Sequence, residues 1–336
     1  MKISKFTFAI LAYNQANIIG ETLESIKYQI EKYGGNRIFK IIVTDDFSKD
    51  NTLLIVRKWI EKNRGLFKEV KILTNQSNMG TVYNYNRIME NIDEESFKVI
   101  AGDDLIGPNN IFEVIEDNAM TVDTYPFIRL EDGKITYRKD YLYDYYYKYK
   151  FYSPLKNLAW MKDGDFIHTP STFYSKKLYS LSVAKKFNEK FFLFEDDPTF
   201  YSFFNYSPEV KVKFNEKPLI LYRYTTASTS TVPNDRFLID WKKLQEQYIK
   251  DTKGIRKIFY KLRVKTDFSK KININKVYTK GKKVYRMLVI SVFFRDEFRK
   301  FFEEYESNVK EFEKFYGLIY DNNRNFLEEI EANASS

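Results

Sequence analysis

Two periodicities alternate along the first hundred residues. Lys5 to Ala12 (KFTFAILA) is a nearly unbroken apolar run of strand length, and Phe39 to Thr44, Val70 to Leu73 and Phe97 to Ala101 repeat the pattern. Between them apolar residues recur at helical spacing. Ile19, Leu23, Ile26 and Ile30 mark a helix over Ile18 to Tyr33, and Leu53, Val56 and Ile60 mark one over Asn51 to Lys62. A third helix is predicted over Val82 to Asn91. Strands alternating with helices predict an α/β fold with a mostly parallel sheet, flanking helices and right-handed crossovers. In such sheets ligands bind beyond the carboxyl ends of the strands, so the polar residues that follow each strand carry the chemistry.

After Phe112 the pattern loosens. Thr136 to Ser153 holds eight tyrosines, Ser171 to Tyr174 reads as a strand, and Phe191 to Phe204 as a loop entering a helix. Pro218 to Tyr224 is strand-like again. From Trp241 to about Ile330 the reading is helical, with a break near Ile272 to Gly281. The expected organisation is therefore residues 1–110, residues 111–240 and a helical extension over residues 241–336.

Composition narrows the chemistry. The 336 residues suffice for one large domain or two ordinary ones, and 43% apolar with 30% charged residues excludes wholesale disorder. Aromatics are 18%, too many to bury entirely, so some should face a ligand or partner. With no cysteine and a single histidine, His168, thiolate chemistry and multi-histidine metal sites are excluded. A metal here is held mainly by oxygen, which favours magnesium, manganese or calcium. The longest predominantly apolar run, Met287 to Phe294, is far short of the roughly 20 residues needed to span a bilayer. The first residues are strand-like rather than signal-like, so a cytoplasmic chain is expected.

Charge is uneven. Residues 241–300 hold 19 Lys and Arg against 5 Asp and Glu, residues 301–336 hold 3 against 9, and the net charge is +9. The basic segment mixes cations with Phe293, Phe294, Phe298, Phe301 and Phe302. It suits a helix on an anionic membrane surface, a bundle packed on the rest of the chain, or a homo-oligomer contact. No nucleic-acid-binding motif is present, and nucleic acid is not expected as a partner.

Three strands end in polar clusters: Tyr13-Asn14, then Asp45-Asp46-Phe47-Ser48-Lys49-Asp50-Asn51-Thr52, then Gly102-Asp103-Asp104. An Asp-Asp pair alone is usually a turn or helix cap. Two such pairs after buried strands point to a divalent cation beside a diphosphate, because adjacent carboxylates repel unless a cation or donor offsets them.

Ile10-Leu11-Ala12-Tyr13-Asn14, the Asp45-Asp46 cluster, Asn78-Met79-Gly80, Gly102-Asp103-Asp104 and Phe194-Glu195-Asp196-Asp197 together resemble family 2 glycosyltransferases over roughly residues 4–235. The resemblance implies the Rossmann-like GT-A fold, a nucleotide-sugar donor and inversion at the sugar. It implies that Tyr13 packs on the base, Leu11 and Ala12 offer backbone contacts, and Asp46 accepts from the uracil imide, which favours a UDP-sugar. Asn14, Asp45, Asn78, Gly80, Tyr85 and Asp103 complete the nucleotide side. Asp103 and Asp104 match the metal element for Mn2+ or Mg2+, with Asp104 the more direct ligand. Asp196 matches the catalytic base and Glu195 its neighbour, while Asp197 is an alternative base and a helix cap before Pro198 is the structural alternative.

Two departures stand out. Tyr85 occupies the place of an arginine that many members direct at the diphosphate, and Thr225 the place of a histidine. Arg223 and Ser228 are the remaining candidates to approach the diphosphate, and His168 either lines the acceptor pocket or is structural. The tyrosine-rich stretch either stacks on sugars or builds a hydrophobic helix or flap. The expected activity is metal-dependent, inverting sugar transfer to a hydroxyl of a glycan or lipid-linked glycan acceptor, in bacterial surface polysaccharide or capsule synthesis. The alternative is an inactive nucleotide-sugar binder or scaffold with a partner- or membrane-binding C-terminal segment.

Overall fold

A computed structural model describes residues 4–93, 96–113, 121–124, 127–152, 168–175, 181–206, 211–214, 217–224, 235–265 and 274–335. The first four strands are β1 (Lys5–Ala12), β2 (Ile38–Asp45), β3 (Glu69–Thr74) and β4 (Ser96–Ala101), separated by helices α1 (Ile19–Tyr33), α2 (Thr52–Lys62) and α3 (Thr81–Asn91). The predicted alternation is present, with boundaries moved by a residue or two. Seven further short strands follow: β5 (Leu105–Ile106), β6 (Thr121–Thr124), β7 (Phe127–Glu131), β8 (Lys134–Thr136), β9 (Thr172–Ser175), β10 (Lys211–Phe214) and β11 (Ile220–Tyr224). The later helices are α4 (Lys139–Tyr152), α5 (Leu181–Asn188), α6 (Asp196–Tyr206), α7 (Asp235–Asp251), α8 (Gly254–Lys265), α9 (Ile274–Phe293) and α10 (Arg295–Ser335).

The main sheet runs β10-β6-β9-β4-β1-β2-β3, with β4, β1, β2 and β3 mutually parallel and β9 antiparallel to both neighbours. A smaller sheet runs β5-β11-β7-β8. One face of the main sheet is closed by α1 and α2 through Leu23, Ile26, Val56 and Trp59, which pack on Phe6, Phe8, Ile41 and Val43. The other face is closed by α3 and α6 through Tyr85, Ile88, Phe200 and Phe203. Both faces are covered, which is why the strands read as continuous apolar runs.

The C-terminal helices extend this core. The inward positions of α10 are Phe298, Phe301, Tyr305, Asn308, Phe312, Phe315, Ile319, Asn323 and Phe326, each three or four residues from the next. That spacing keeps one stripe of a helix roughly 60 Å long turned toward its support. Contact is closest at two glycines: Phe312 covers Gly107, and Asn323 lies on Gly20 of α1. Asn109 donates to the Asn308 side chain at 2.9 Å, satisfying a polar break in the stripe.

The tyrosine-rich stretch is helix α4. Tyr143 and Tyr146 pack on Phe298, and Tyr145 stacks on Phe301. These rings therefore meet aromatic rings of this chain, as the hydrophobic-helix alternative required. The predicted break at Ile272 to Gly281 is corrected over its described part. Ile274 to Gly281 is helical, with open space beside Gly281 to accommodate either a glycine or a larger side chain. No helix among the described residues is long and apolar enough to cross a membrane.

Candidate functional site

Parallel register brings the strand-end clusters together. Ala12 pairs with Asp45 and Leu11 with Ala101, so Tyr13, Asp46 and Gly102 leave the sheet side by side. The loops are then tied by backbone bonds. The Asp46 amide donates to the Ala12 carbonyl at 3.0 Å, and the Gly102 amide to the Leu11 carbonyl at 2.8 Å. The Gln15 side chain lies over Gly102, its Oε1 in the space a Cβ would take. Tyr13 stands 44% exposed at this edge, a free ring face beside the carboxylates.

Each acidic residue has a distinct environment. Asp45 is buried and closes its own turn, accepting from the Ser48 amide at 3.1 Å and the Ser48 hydroxyl at 2.5 Å. Asn14, with φ of 50°, accepts from the Lys49 amide, and its own amide donates to Ser48 Oγ at 2.9 Å. Phe47 is also left-handed, with φ of 66°, an unfavourable state for an aromatic residue and typical of functional turns. Asp46 accepts from the Asn75 side chain at 2.8 Å, the Met79 amide at 2.7 Å and the Gly80 amide at 2.9 Å. A carboxylate has about four acceptor positions, so Asp46 holds the Asn78-Met79-Gly80 turn and keeps one lone pair in reserve. Asn78 is exposed at the tip of that turn. Gly80 has φ of 86°, and a Cβ would sit 2.7 Å from the Phe192 carbonyl.

Asp103 and Asp104 lie at the end of β4. Asp104 is almost wholly buried; its Oδ1 accepts from the Arg223 amide at 2.9 Å. Burial and the adjacent Asp103 charge hold the Asp104 carboxyl well above the ordinary range, against the pull of Lys98 and Arg223, and burial raises Asp103. Two desolvated carboxyls whose ionised forms are penalised are chemically suited to a divalent cation. No group of three or more His, Asp or Glu able to hold a metal occurs among the described residues. The pair therefore fits the magnesium-like arrangement in which protein supplies one or two carboxylates and phosphate and water supply the rest.

Arg223 has partners other than those expected from the sequence. Its guanidinium pairs with Glu21 of α1 and donates to the Asp103 carbonyl, so it braces the Asp103-Asp104 turn from behind. Tyr85 is a core residue here, 2% exposed and packed with Ile42, Phe97 and Tyr174. A phenol has far more apolar surface than a guanidinium, so the ring is drawn inward. Ser228 and Thr225 lie outside the described residues.

Glu195, Asp196 and Asp197 open α6, and the Asp197 amide donates to Asp196 Oδ1 at 2.7 Å. Burial, then the charges of Asp196 and Asp197, push the Glu195 carboxyl up to about 8; burial also raises Asp196. Lys98, fully buried on β4, donates to the Pro170 carbonyl at 2.6 Å and the Thr172 carbonyl at 2.9 Å. Burial lowers the Lys98 ammonium to about 7, opposed by Asp104. His168 packs edge-on against Tyr222, and its Nδ1 lies 3.1 Å from Ser171 Oγ. Burial and nearby Lys98, Arg129 and Lys148 push it down to about 3, so it is neutral.

Lys98, Glu21, Asn75 and Asp240 were not singled out from the sequence. Lys98 had a signal, a lone cation inside an apolar strand. Asp240 had none. It is buried on α7, yet its Oδ2 accepts from three successive amides, those of Phe192, Leu193 and Phe194, at 2.7, 2.8 and 3.3 Å. The Phe192 carbonyl in turn accepts from Val82 at the start of α3. A continuous set of bonds thus runs from Asp46 through the Gly80 turn and Phe192 to Asp240, next to Glu195-Asp196.

Residues 7–181, just over half the chain, match the model described as Glycosyl transferase family 2. No curated protein matches the chain in sequence. Among solved structures, S. aureus TarS 1-349 in complex with UDP is 14% identical with a TM-score of 0.54, covering 95% of this chain and 92% of that one. The same TarS fragment with UDP-GlcNAc gives 15% identity, a TM-score of 0.53 and the same coverage. A further S. aureus TarS structure is 17% identical with a TM-score of 0.54; the match covers 77% of this chain but only 42% of that one. At these identities the likeness is one of fold, the mixed α/β GT-A architecture.

Proposed function

Because the chain belongs to glycosyl transferase family 2, we propose that it transfers a sugar, with inversion, from a UDP-sugar to a hydroxyl of a glycan or lipid-linked glycan acceptor. The setting that fits this chemistry is bacterial surface polysaccharide or capsule synthesis. The observation that carries the reading is the run of bonds between the strand-end edge and the second acidic cluster: Asp46 holds the Met79-Gly80 turn, Val82 donates to the Phe192 carbonyl, and Asp240 holds the 192–194 loop that leads into Glu195-Asp196. Residues 1–110 form the donor half and residues 111–240 the acceptor half. The TarS complexes with UDP and UDP-GlcNAc support a uridine donor.

In this reading the base lies on Tyr13, and the open lone pair of Asp46 accepts the uracil imide proton. Asp103 and Asp104 would hold a manganese or magnesium ion, which supplies charge neutralisation for the departing diphosphate. Asp196 accepts the proton of the acceptor hydroxyl as it attacks from the face opposite the leaving group. Glu195, protonated at neutral pH, adds no second charge beside it. Asp46 also positions the Gly80 turn, while Arg223 and Asp240 act through other groups, positioning the Asp103-Asp104 turn and the 192–194 loop.

Calorimetric titration with UDP, GDP, CDP and TDP, with and without manganese, tests the donor side. Metal-dependent UDP binding that drops in Asp46→Ala and Asp104→Ala is expected. Asp196→Asn should abolish transfer and retain UDP binding. Equal transfer by wild type and Asp196→Asn would refute the assignment of the base. An inactive binder remains the second reading, favoured by the core position of Tyr85 in place of a diphosphate-directed arginine. UDP binding with no transfer to any glycan acceptor would establish it.

A further inference from the structure

Helices α8 and α9 together contain ten Lys and Arg and no Asp or Glu. One face of α9 is anchored. Arg286 pairs with Asp144 and Lys283 with Asp140, both on α4, and Ile290 is fully buried among aromatic rings of α4 and α10. The opposite face is apolar and open: Val277, Val284, Leu288 and Val292 are 61%, 50%, 55% and 67% exposed. Their spacing of seven, four and four residues makes a single stripe along the helix. Lys280 and Lys282 border that stripe on opposite sides. On the adjoining α8, Ile258 and Leu262 are exposed one turn apart, beside Lys257 and Lys261. No described residue packs over the α9 stripe.

We propose that this face seats the protein on an anionic phospholipid surface, with α9 lying in the plane of the headgroups. An apolar stripe flanked by lysines is the pattern of an interfacial helix: the stripe enters the acyl boundary while the ammonium groups reach back to the phosphates. Charge decides against the main competitor, a second copy of the chain. A two-fold dimer through this face would set the outward lysines of α8 and α9 against the same lysines of the partner, with no acid in either helix to answer them. An anionic bilayer answers the outward lysines, Lys280 and Lys282 of α9 and Lys257 and Lys261 of α8, at once. The inference rests on the surface alone and does not depend on which reaction the acidic clusters perform.

The test is sedimentation of the full chain with vesicles of phosphatidylglycerol and phosphatidylcholine, against pure phosphatidylcholine, at low and high salt. Binding to the anionic vesicles that weakens with salt is expected. The doubly substituted Val284→Asp/Leu288→Asp and Lys280→Glu/Lys282→Glu chains should each lose about tenfold or more in partitioning. All four positions are outside the core, so circular dichroism and UDP titration should be unchanged. Vesicle binding that both variants retain would overturn the proposal. So would absence of vesicle binding together with a concentration-dependent dimer, seen by light scattering, that Leu288→Asp dissolves.

Discussion

Asp240→Asn tests whether a residue on α7 organises the loop that carries Glu195 and Asp196. In the folded chain a single oxygen, Oδ2, receives the amides of Phe192, Leu193 and Phe194, while Oδ1 faces Lys243 at 3.6 Å. Asparagine keeps one acceptor oxygen but no charge, and it turns an NH2 toward the Lys243 ammonium. A hydrogen bond to a charged acceptor is worth roughly 1.5–3 kcal/mol and a neutral one roughly 0.5–1.5. Three bonds that share one oxygen do not add, so the expected loss is about 2–3 kcal/mol. Asp240→Ala removes the acceptor and strands three amides, at about 1–3 kcal/mol each. The assay pairs urea unfolding with transfer kinetics and UDP titration. Asp240→Asn should lower kcat more than tenfold, the scale that small displacements of a reacting group produce. UDP affinity should change by less than about threefold, because the Tyr13 edge is held by other bonds. A stability change below about 0.5 kcal/mol with wild-type kcat would refute the reasoning.

Three further expectations concern other parts of the molecule. Glu195 titrates from 4.5 in the unfolded chain to about 8 in the fold, so between these values the native state holds a proton that the unfolded state has released. Its stabilising contribution is complete below 4.5 and is lost as pH rises through 8, so melting of Glu195→Gln should fall less than wild type from pH ~5 to ~8; parallel curves would contradict this. Asp104→Asn removes a buried charge that is penalised without a cation, so it should leave metal-free stability unchanged or higher while abolishing the manganese dependence of UDP binding; lower metal-free stability would count against it. Phe312 is fully buried against Gly107, so Phe312→Ala should cost about 3–5 kcal/mol and keep one calorimetric transition, whereas a separate early transition would mean that α10 folds apart from the core.

Much of this molecule is legible in its order of residues. A strand buried on both faces can only read as an unbroken apolar run, and a helix on a sheet must repeat every three or four residues. The four parallel strands and three helices of the first half follow from that, and so does the convergence of Tyr13, Asp46 and Asp103 on one sheet edge. The heavy charge of the C-terminal segment was equally visible, as was its aromatic content.

Partnership was not legible, because periodicity fixes which face of an element is apolar and not which element covers it. Tyr85 and Arg223 were both read as facing the donor; packing drew one into the core and Glu21 claimed the other. Asp240 lies 46 to 48 residues from the amides it holds, a separation with no local signature. The aromatic stripe of α10 and the tyrosines of α4 found each other only once the chain was folded. The same folding left the α9 stripe outside. Composition by itself determined that residues 241–300 are cationic and amphipathic; only tertiary contact decided that α10 turns its apolar face inward and α9 turns one outward, since each helix can bury just the faces that its neighbours reach.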